Sequence, residues 1–239
     1  MRHVSDEIKY IFDLTLNSRC KCCAKLREKM LTVYNLPNWL IHLQKYYQNQ
    51  ESCTYYLMNT SPPRKLALDQ LNRLSVNEFK AAEKFPYCLI LNDIRSLNNV
   101  GSVFRTADAF RAERLYLAGI TGTPPHRDIT KTAIGATESV NWTHAPDVDV
   151  LVAQLQAEGY VIVAIEQAEN STLLTNFRPD PNKRYAFVFG NEVTGVRDSV
   201  VQQADEVVEV PQFGTKHSLN IAVTAGIICY DFMNKITKR

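Results

Sequence analysis

Short β-rich runs alternate with helical patterns from Pro86 onward, and this alternation constrains the fold more than any other feature of the sequence. Parallel strands need a crossover connection, usually a helix, so the pattern predicts an α/β domain whose parallel sheet is flanked by helices. The predicted strands are Tyr87–Leu91, Arg114–Ala118, Tyr160–Ile165, Tyr185–Phe189 and Glu206–Val210. The predicted helices are Val100–Phe110, Val148–Glu158, Arg197–Ala204 and Leu219–Ile236, the last with apolar residues at helical spacing.

Residues 1–57 differ in character from the rest of the chain. They are rich in Tyr, Asn, Gln and Cys, and helical patches such as Trp39–Tyr47 lack a clean period. The stretch at 61–63, Ser-Pro-Pro, is typical of a linker. We therefore predict a mainly helical N-terminal extension with its linker at 1–63, a helical lead-in at 64–85 and the α/β domain at 86–239. Because Met58 stands just before the linker, one hypothesis is that the natural protein begins there.

Within the lead-in, the pattern Ser75-Val-Asn-Glu78 fits a capping box, in which serine and glutamate side chains bond the first free backbone N–H groups of a helix. We therefore expect Ser75 to cap a helix.

Composition and charge restrict the classes of function. With 45% hydrophobic and 22% charged residues, the chain is typical of a soluble globular protein. It has neither an apolar run long enough for a membrane span nor the apolar core of a signal peptide, so we expect a cytoplasmic protein that does not bind membranes. Residues 1–57 carry 8 Lys/Arg and 5 Asp/Glu, and residues 58–239 carry 19 and 20. Any contact with nucleic acid must therefore come from a local patch or from the N-terminal segment.

Four of the six cysteines crowd into the first quarter of the chain, at positions 20, 22, 23 and 53. Structural zinc sites usually have two separated cysteine pairs, or a pair followed by histidines. Here only Cys53 and His42 follow the cluster. We therefore expect no metal site, and reduced thiols are the favoured interpretation for a cytosolic protein.

Three short segments place polar residues where a plain core element would have apolar ones, and the first is Asn99–Arg105. Asn99 stands where a helix opens and could serve as its cap. Arg105 stands among apolar neighbours, so we expect it to lie near the core. A buried arginine needs an anionic or carbonyl partner. A phosphate is one candidate, and a salt bridge with Asp108 or Glu192 is the structural alternative.

The second segment is Gly190–Glu192, directly after a predicted strand. Backbone N–H groups there would point out of the carboxyl end of the sheet, where open α/β sheets bind ligands. The stretch Gly190–Gly195 superficially resembles a phosphate loop, but Val196 and Arg197 follow it in place of Lys-Ser/Thr. An ATP-binding loop is therefore disfavoured, and no G-x-G-x-x-G fingerprint is present.

The third segment is Ser218–Asn220, at the head of the last predicted helix. His217 beside Ser218 does not indicate a hydrolase, because residues adjacent in sequence rarely meet as nucleophile and base, and there is no G-x-S-x-G elbow. We expect Ser218 to cap the helix, with Asn220 in its first turn. If this helix start faces the loop at Gly190, its N–H groups would favour a carboxylate or phosphate there.

Together, N-x-x-x-x-x-R, a strand followed by G-N-E, and V-P-x-x-G-x-x-x-S-L-N resemble the three motifs of the SpoU (TrmH-like) class of SPOUT RNA 2′-O-methyltransferases. The resemblance covers about Pro86 to Asn234 and includes the stretch Ile134–Glu138. It implies a deep trefoil knot in the C-terminal part, S-adenosyl-L-methionine bound bent in the knot, and an obligate homodimer whose active site borrows residues across the interface. The implied cofactor contacts are Gly190, Val210 and Leu219, and the implied catalytic set is Asn99, Arg105, Glu192, Ser218 and Asn220. Arg111 stands where many relatives have glycine, so the turn there is expected to differ.

The resemblance further implies methyl transfer from S-adenosyl-L-methionine to a ribose 2′-hydroxyl of RNA. The stretch Ala164–Gln167 and the G-N-E motif are similar to tRNA D-loop guanosine methyltransferases, which favours a tRNA guanosine. Three alternatives stay open at this point: the same chemistry on rRNA, a catalytically silent knotted RNA-binding protein, and, more remotely, a nucleotide-binding module at the strand ends.

Overall fold

The computed structural model of the chain describes residues 64–237. The predictions for residues 1–63, including the cysteine cluster and the Met58 hypothesis, lie outside the described residues. The chain divides into two compact units, Met1–Leu71 and Asn72–Arg239. The described part of the first unit contains a 3-10 helix at Leu68–Leu71. Among the described residues, the strands of the sheet and the α-helices lie in the second unit.

The second unit is built around seven parallel strands in the order β3-β2-β1-β6-β4-β7-β5. The strands are β1 (Phe85–Asn92), β2 (Ala112–Ala118), β3 (Trp142–Ala145), β4 (Tyr160–Ile165), β5 (Thr172–Leu173), β6 (Arg184–Phe189) and β7 (Glu206–Glu209). The helices are α1 (Val76–Ala81), α2 (Leu97–Ala109), α3 (Arg127–Ala133), α4 (Ala136–Ser139), α5 (Val148–Ala157), α6 (Asp198–Gln203) and α7 (Ile221–Thr237). The predicted parallel α/β architecture is confirmed.

Helices cover both faces of this sheet. On one face α2, α3 and α7 pack against alternate residues of β1, among them Tyr87, Leu89 and Leu91. On the other face α5 and α6 pack against the remaining set, including Cys88 and Ile90. Strands buried on both faces read as continuous apolar runs, which is why the sequence predicts β1 clearly. Because helices cover both faces of the sheet, the polar loops lie at the edge formed by the carboxyl ends of the strands.

Two helix starts differ from the sequence prediction. Helix α2 begins at Leu97, and the Ser96 hydroxyl accepts the N–H of Asn99 at 3.3 Å, so the interpretation of Asn99 as the cap is wrong. Helix α7 begins at Ile221, and Asn220 Oδ1 accepts the N–H of Ala222 at 2.8 Å. Ser218 lies three positions before Ile221 and does not cap the helix. A cap is set by the residue at which the backbone first turns helical, and several polar residues near each start compete for that position.

The capping box at the start of α1 is confirmed. Ser75 accepts the N–H of Glu78 at 3.3 Å, and the Glu78 carboxylate accepts the N–H of Ser75 at 2.8 Å. The turn after α2 places Arg111 at φ 45°, a left-handed conformation that glycine adopts without strain. A non-glycine residue at this turn therefore occupies a conformation uncommon for its type.

Arg105 does not lie near the core, so this prediction is wrong. Its side chain is exposed, although Phe104 beside it is fully buried. Successive residues of an α-helix point about 100° apart, so apolar neighbours in sequence do not place a side chain in the core. Among residues 64–237, Arg105 makes no ion pair, which removes the expected salt bridges with Asp108 and Glu192 within this region.

Candidate active site

The first and second segments meet at the carboxyl edge of the sheet, where the Glu192 carboxylate lies at the start of α2. Glu192 Oε2 accepts the N–H of Arg95 at 3.0 Å, and Oε1 accepts the N–H of Ser96 at 3.1 Å. Asn99 Nδ2 donates to Oε1 at 3.2 Å. The carboxylate thus binds backbone donors ahead of a helix N-terminus, a position that favours negative charge.

Ionisation of Glu192 follows from these contacts. Burial opposes the charged form, but the hydrogen bonds from the backbone of Arg95, Glu192 itself and Ser96, and from the Asn99 amide, outweigh it. The pKa of the Glu192 carboxyl is therefore lowered. Acceptance of several N–H bonds stabilises a carboxylate over the acid.

The third segment joins the same cluster through Asn220. Its Nδ2 donates to Asn99 Oδ1 at 3.1 Å, while its Oδ1 accepts the N–H of Ala222. The backbone N–H at one end can only donate and the carboxylate at the other end can only accept. The direction of every hydrogen bond from Asn220 through Asn99 to Glu192 is therefore fixed, and we name these three residues the amide–carboxylate chain.

The loop Gly190–Gly195 that carries Glu192 is itself held in a defined shape. Asn191 and Gly195 form a reciprocal pair of backbone hydrogen bonds, each 2.9 Å long. Asn191 Oδ1 accepts the N–H of Val193 at 2.9 Å, and its Nδ2 donates to the carbonyl of Asp93 at 2.6 Å. A Cβ at Gly190 would overlap the backbone of Gly195 and Val196. Only glycine lets the loop close this tightly after β6.

Sequence reasoning missed the side chains that clamp this loop. Glu166, just after β4, accepts the N–H of Val196 at 2.9 Å. Arg197 pairs with Asp93 and with Asp149, both at 3.1 Å. A signal for the loop itself was present in the sequence, because Asn191 stands two positions after β6 and Asn side chains often bond the backbone two residues on in an Asx turn. The acidic partners stand 30 or more positions away and carried no such local signal.

A cleft of about 250 Å³ lies between β1 and this loop. It is lined by Asn92, Asp93, Asn191, Thr194, Gly195, Val196, Arg197 and Asp198. The Asp93 carboxylate already accepts from Asn92 at 2.8 Å, Ile120 at 3.0 Å and Arg197. These hydrogen bonds and the arginine's charge lower the pKa of Asp93 although burial opposes them. Asp93 and Arg197 are thus engaged in holding the loop.

The three predicted cofactor contacts surround the carboxyl end of β4. Gly190 follows β6 and Val210 follows β7, and β4 lies between these strands. Because neighbouring strands are about 4.8 Å apart, the two residues lie about 10 Å from each other on either side of β4. Leu219, 39% exposed, precedes Asn220 on the segment that runs from β7 to α2. Gln167, two residues beyond β4, donates from Nε2 to the carbonyl of His217 at 3.0 Å and holds that segment over β4.

The structure therefore joins some predicted site residues and leaves others apart. Asn99, Glu192 and Asn220 are in direct contact through the amide–carboxylate chain. Arg105 and Ser218 are exposed, and their side chains make no hydrogen bond to Asn99, Glu192 or Asn220. Within residues 64–237 no group of three or more His, Cys, Asp or Glu side chains is placed to hold a metal ion. Over the same residues, no helix combines the length and apolar character that a bilayer crossing requires.

A family model described as the SpoU rRNA Methylase family matches residues 86–230, the region that contains the sheet and all three segments. The chain belongs to the SpoU rRNA methylase family. The resemblance drawn from the three motifs is thereby confirmed, and the amide–carboxylate chain is a feature of a SpoU-family protein.

Among curated relatives, the 23S rRNA (guanosine-2′-O-)-methyltransferase RlmB of Neisseria meningitidis is 30% identical over 143 residues, covering 60% of this chain and 56% of that protein. RlmB of Escherichia coli is 28% identical over 146 residues, covering 61% of this chain and 59% of its own length. The chain thus spans less than two thirds of the length of these SpoU-family relatives.

Solved structures share the fold. The A. aeolicus TrmH/SpoU tRNA modifying enzyme matches with a TM-score of 0.59 at 22% identity, covering 67% of this chain and 81% of that one. AviRb from Streptomyces viridochromogenes, solved in complex with AdoMet, matches with a TM-score of 0.57 at 22% identity, covering 71% and 64%. At this identity the match establishes a common SpoU-family architecture.

Proposed function

We propose that this chain is an RNA methyltransferase that transfers a methyl group from S-adenosyl-L-methionine to a ribose 2′-hydroxyl. The observation that carries the proposal is the amide–carboxylate chain, because it joins three residues of the implied catalytic set at the carboxyl edge of the sheet. Membership of the SpoU family supplies the chemistry expected of such a cluster.

The residues around the end of β4 suit the cofactor. Val210 and Leu219 offer partly exposed apolar surface, and Gly190 offers backbone groups on the other side of β4. Apolar walls with a few polar groups are typical of small-molecule sites. When bound, S-adenosyl-L-methionine supplies a methyl group on a sulfonium sulfur. Val210, Leu219 and Gly190 would hold it next to the loop that carries Glu192.

Arg105 is proposed to bind the RNA. A guanidinium is always protonated and cannot serve as a literal base. Its exposed charge, without an ion pair among residues 64–237, suits an RNA phosphate and the 2′-oxygen, while phosphate or water takes the hydroxyl proton. Ser218 and the amide–carboxylate chain would orient the ribose and the cofactor segment, and positioning of this kind supplies much of the rate.

A homodimer would bring Arg105 to this site. Arg105 lies six positions beyond Asn99, about 9 Å along the axis of α2 and on a different side of the helix. It therefore does not join the amide–carboxylate chain of its own subunit. Helix α7 offers the interface: Ile221, Ala225, Ile228 and Phe232 are buried, yet Val223 and Tyr230 on other sides are 52% and 58% exposed. A helix that is apolar on several sides is expected to be covered by a partner.

The trefoil knot is part of the proposal. The segment 210–220 leaves β7, is bonded to Gln167 beyond β4, and reaches Asn99 on α2 through Asn220. A trefoil knot requires in addition that the chain end, here α7, passes through a loop of the preceding chain, and we propose this threading.

The test is Arg105→Ala. Methylation of RNA should fall about a hundredfold or more, because the acceptor loses its positioning group. Calorimetric binding of S-adenosyl-L-methionine should be retained. Arg73→Ala, which removes another exposed arginine outside α2, serves as the matched control and should methylate normally. Loss of cofactor binding together with activity in Arg105→Ala would contradict the assigned role.

The substrate we propose is a tRNA guanosine, on the similarity of Ala164–Gln167 and the G-N-E motif to tRNA D-loop enzymes. An rRNA guanosine is the second candidate, favoured by the similarity to RlmB. Nucleoside mass spectrometry of tRNA and rRNA from a deletion strain separates them by the 2′-O-methylated nucleoside that disappears. If purified protein transfers no methyl group to total RNA from that strain but still binds it, the chain is a silent RNA-binding protein.

A further inference from the structure

Phe213 is the most exposed of the large hydrophobic residues among those the structure describes, with 98% of its surface accessible. All residues from Phe213 to Asn220 are exposed, so the ring lies on a segment that packs little against its own subunit. Single exposed apolar residues are common and need no special cause. What singles out Phe213 is its place, because this segment crosses the candidate active site.

The position of the segment follows from its two anchors. It leaves β7 at Glu209, and Gln167 beyond β4 binds the carbonyl of His217. It ends at Asn220, which bonds to Asn99 on α2. Phe213 thus lies on the part nearest β7, and β7 is two strand positions, about 10 Å, from the β6 end that carries Glu192. This part of the edge is therefore close enough to Glu192 for contact with a nucleotide next to the one that the proposed reaction methylates.

The chemistry of the segment suits nucleic acid better than the alternatives. Residues 211–220 contain Lys216 and no carboxylate, and aromatic rings beside basic residues are typical of surfaces that bind single-stranded nucleic acid. A ring that is 98% accessible forms no wall of a cofactor pocket, which is concave. Its neighbours Gln212, Gly214 and Thr215 are polar or small, so it does not belong to a contiguous apolar patch suited to a protein partner.

We propose that Phe213 stacks on a base next to the target nucleotide and that Lys216 contacts the adjacent phosphate. Stacking tolerates any base, so this contact would position RNA without reading its sequence. The inference rests on the proposed RNA substrate and adds a substrate-binding residue to it.

The first experiment measures methylation of total RNA from the deletion strain. Phe213→Ala should raise the KM for RNA about tenfold, in the range found for loss of one base–aromatic stack. Phe213→Tyr should behave like the parent protein, whereas Phe213→Leu should behave like Phe213→Ala because leucine has no π-face. Cofactor affinity by calorimetry should be the same in all of them. Val150→Ala, an apolar residue 68% exposed on α5, is the matched control and should keep the parent KM.

The salt dependence of RNA affinity distinguishes the phosphate contact of Lys216 from the base contact of Phe213. Lys216→Gln should lower the slope of log affinity against log salt by about one, since one phosphate contact is lost. Phe213→Ala should leave that slope unchanged. A parent-like KM in Phe213→Leu would overturn the stacking, as would a loss of cofactor affinity or a change of oligomeric state in Phe213→Ala.

A second experiment does not depend on turnover. Phe213→Trp adds an exposed indole to the two native tryptophans, Trp39 and Trp142. On titration with a 12-nucleotide oligo(A), the tryptophan fluorescence of this variant should decrease more than that of the parent protein. If the parent protein methylates no RNA, the proposed function fails while this titration still tests the stacking. The absence of extra quenching would overturn the inference even in an active enzyme.

Discussion

Glu192 is an exposed carboxylate whose hydrogen bonds join the loop after β6 to the start of α2. Its lowered pKa means that folding favours the ionised form. The stabilisation is therefore present above the carboxyl's unfolded pKa of about 4.3 and is lost as the pH falls through the lower folded value. At the scale of single residues, this carboxylate contributes to stability as well as to the proposed site.

We expect Glu192→Gln to lower the free energy of unfolding at pH 7 by about 1 kcal/mol, a value discounted because the group is exposed to water. The difference from the parent protein should shrink as the pH falls below the unfolded pKa of about 4.3 and through the lower pKa of the folded carboxyl, because the parent carboxyl then also becomes protonated. Urea denaturation followed by circular dichroism at pH 7 and pH 3.5 measures both values.

Glu138→Gln on α4 is the control, because Glu138 is exposed and makes no side-chain hydrogen bond among residues 64–237. It should change stability little at either pH. A Glu192→Gln protein as stable as the parent at pH 7 would mean that the carboxylate contributes no net stabilisation.

At the scale of elements, the loop Gly190–Gly195 is shaped by backbone contact as much as by side chains. Its ends pair with each other, and Gly190 has no room for a Cβ against Gly195 and Val196. The sequence could indicate a turn there, because Asn191 and the two glycines are turn residues. Only the tertiary structure shows that the backbone of Gly190 lies against the backbone of Gly195 and Val196.

Gly190→Ala is expected to destabilise the protein by about 2 kcal/mol, since the methyl group forces the loop away from its partner backbone. Cofactor binding should weaken with it. Gly214→Ala is the matched control: no atom lies within 4 Å of the added Cβ, so stability should stay the same or rise slightly. Thermal denaturation of both variants and calorimetry with S-adenosyl-L-methionine would test this, and a parent-like Tm for Gly190→Ala would refute it.

Elements that lack a strong pattern were not predicted from the sequence. Strand β3 is an edge strand of partly exposed residues, and β5 has only Thr172 and Leu173. Helix α3 buries only Ile129 and Ala133. Periodicity detects an element by its buried face, so elements with small buried faces give little signal. The central strands and α7 were predicted because their apolar faces are long.

At the scale of the whole molecule, α7 has an inner apolar face on the sheet and further apolar side chains that point to solvent. Tyr230 also packs edge-on against Phe110 with ring centroids 6.3 Å apart. The proposed homodimer accounts for these exposed residues and for the separation of Arg105 from Asn99. Dimerisation and catalysis should therefore depend on each other.

Val223→Lys should shift the protein from dimer to monomer in analytical ultracentrifugation, because a charge on the exposed apolar side of α7 would be buried in the interface without a partner. RNA methylation should fall together with the dimer. The control Val150→Lys, on an apolar residue 68% exposed on α5, should stay dimeric and active. An active, well-folded monomer of Val223→Lys would show that the site is complete within one chain.

The sequence by itself determined the parallel α/β domain, its central strands, and the residues Asn99, Glu192 and Asn220 as members of one site. The domain and its strands follow from periodicity, whereas the grouping of the three residues is what the resemblance of the ordered motifs to the SpoU class implies. Only the tertiary structure decided that Ser96 and Asn220 cap their helices, that Arg105 is exposed, and that Glu166 and Arg197 clamp the loop. Caps, exposure and long-range hydrogen bonds depend on which distant backbone segments come together, and local sequence carries little information about that.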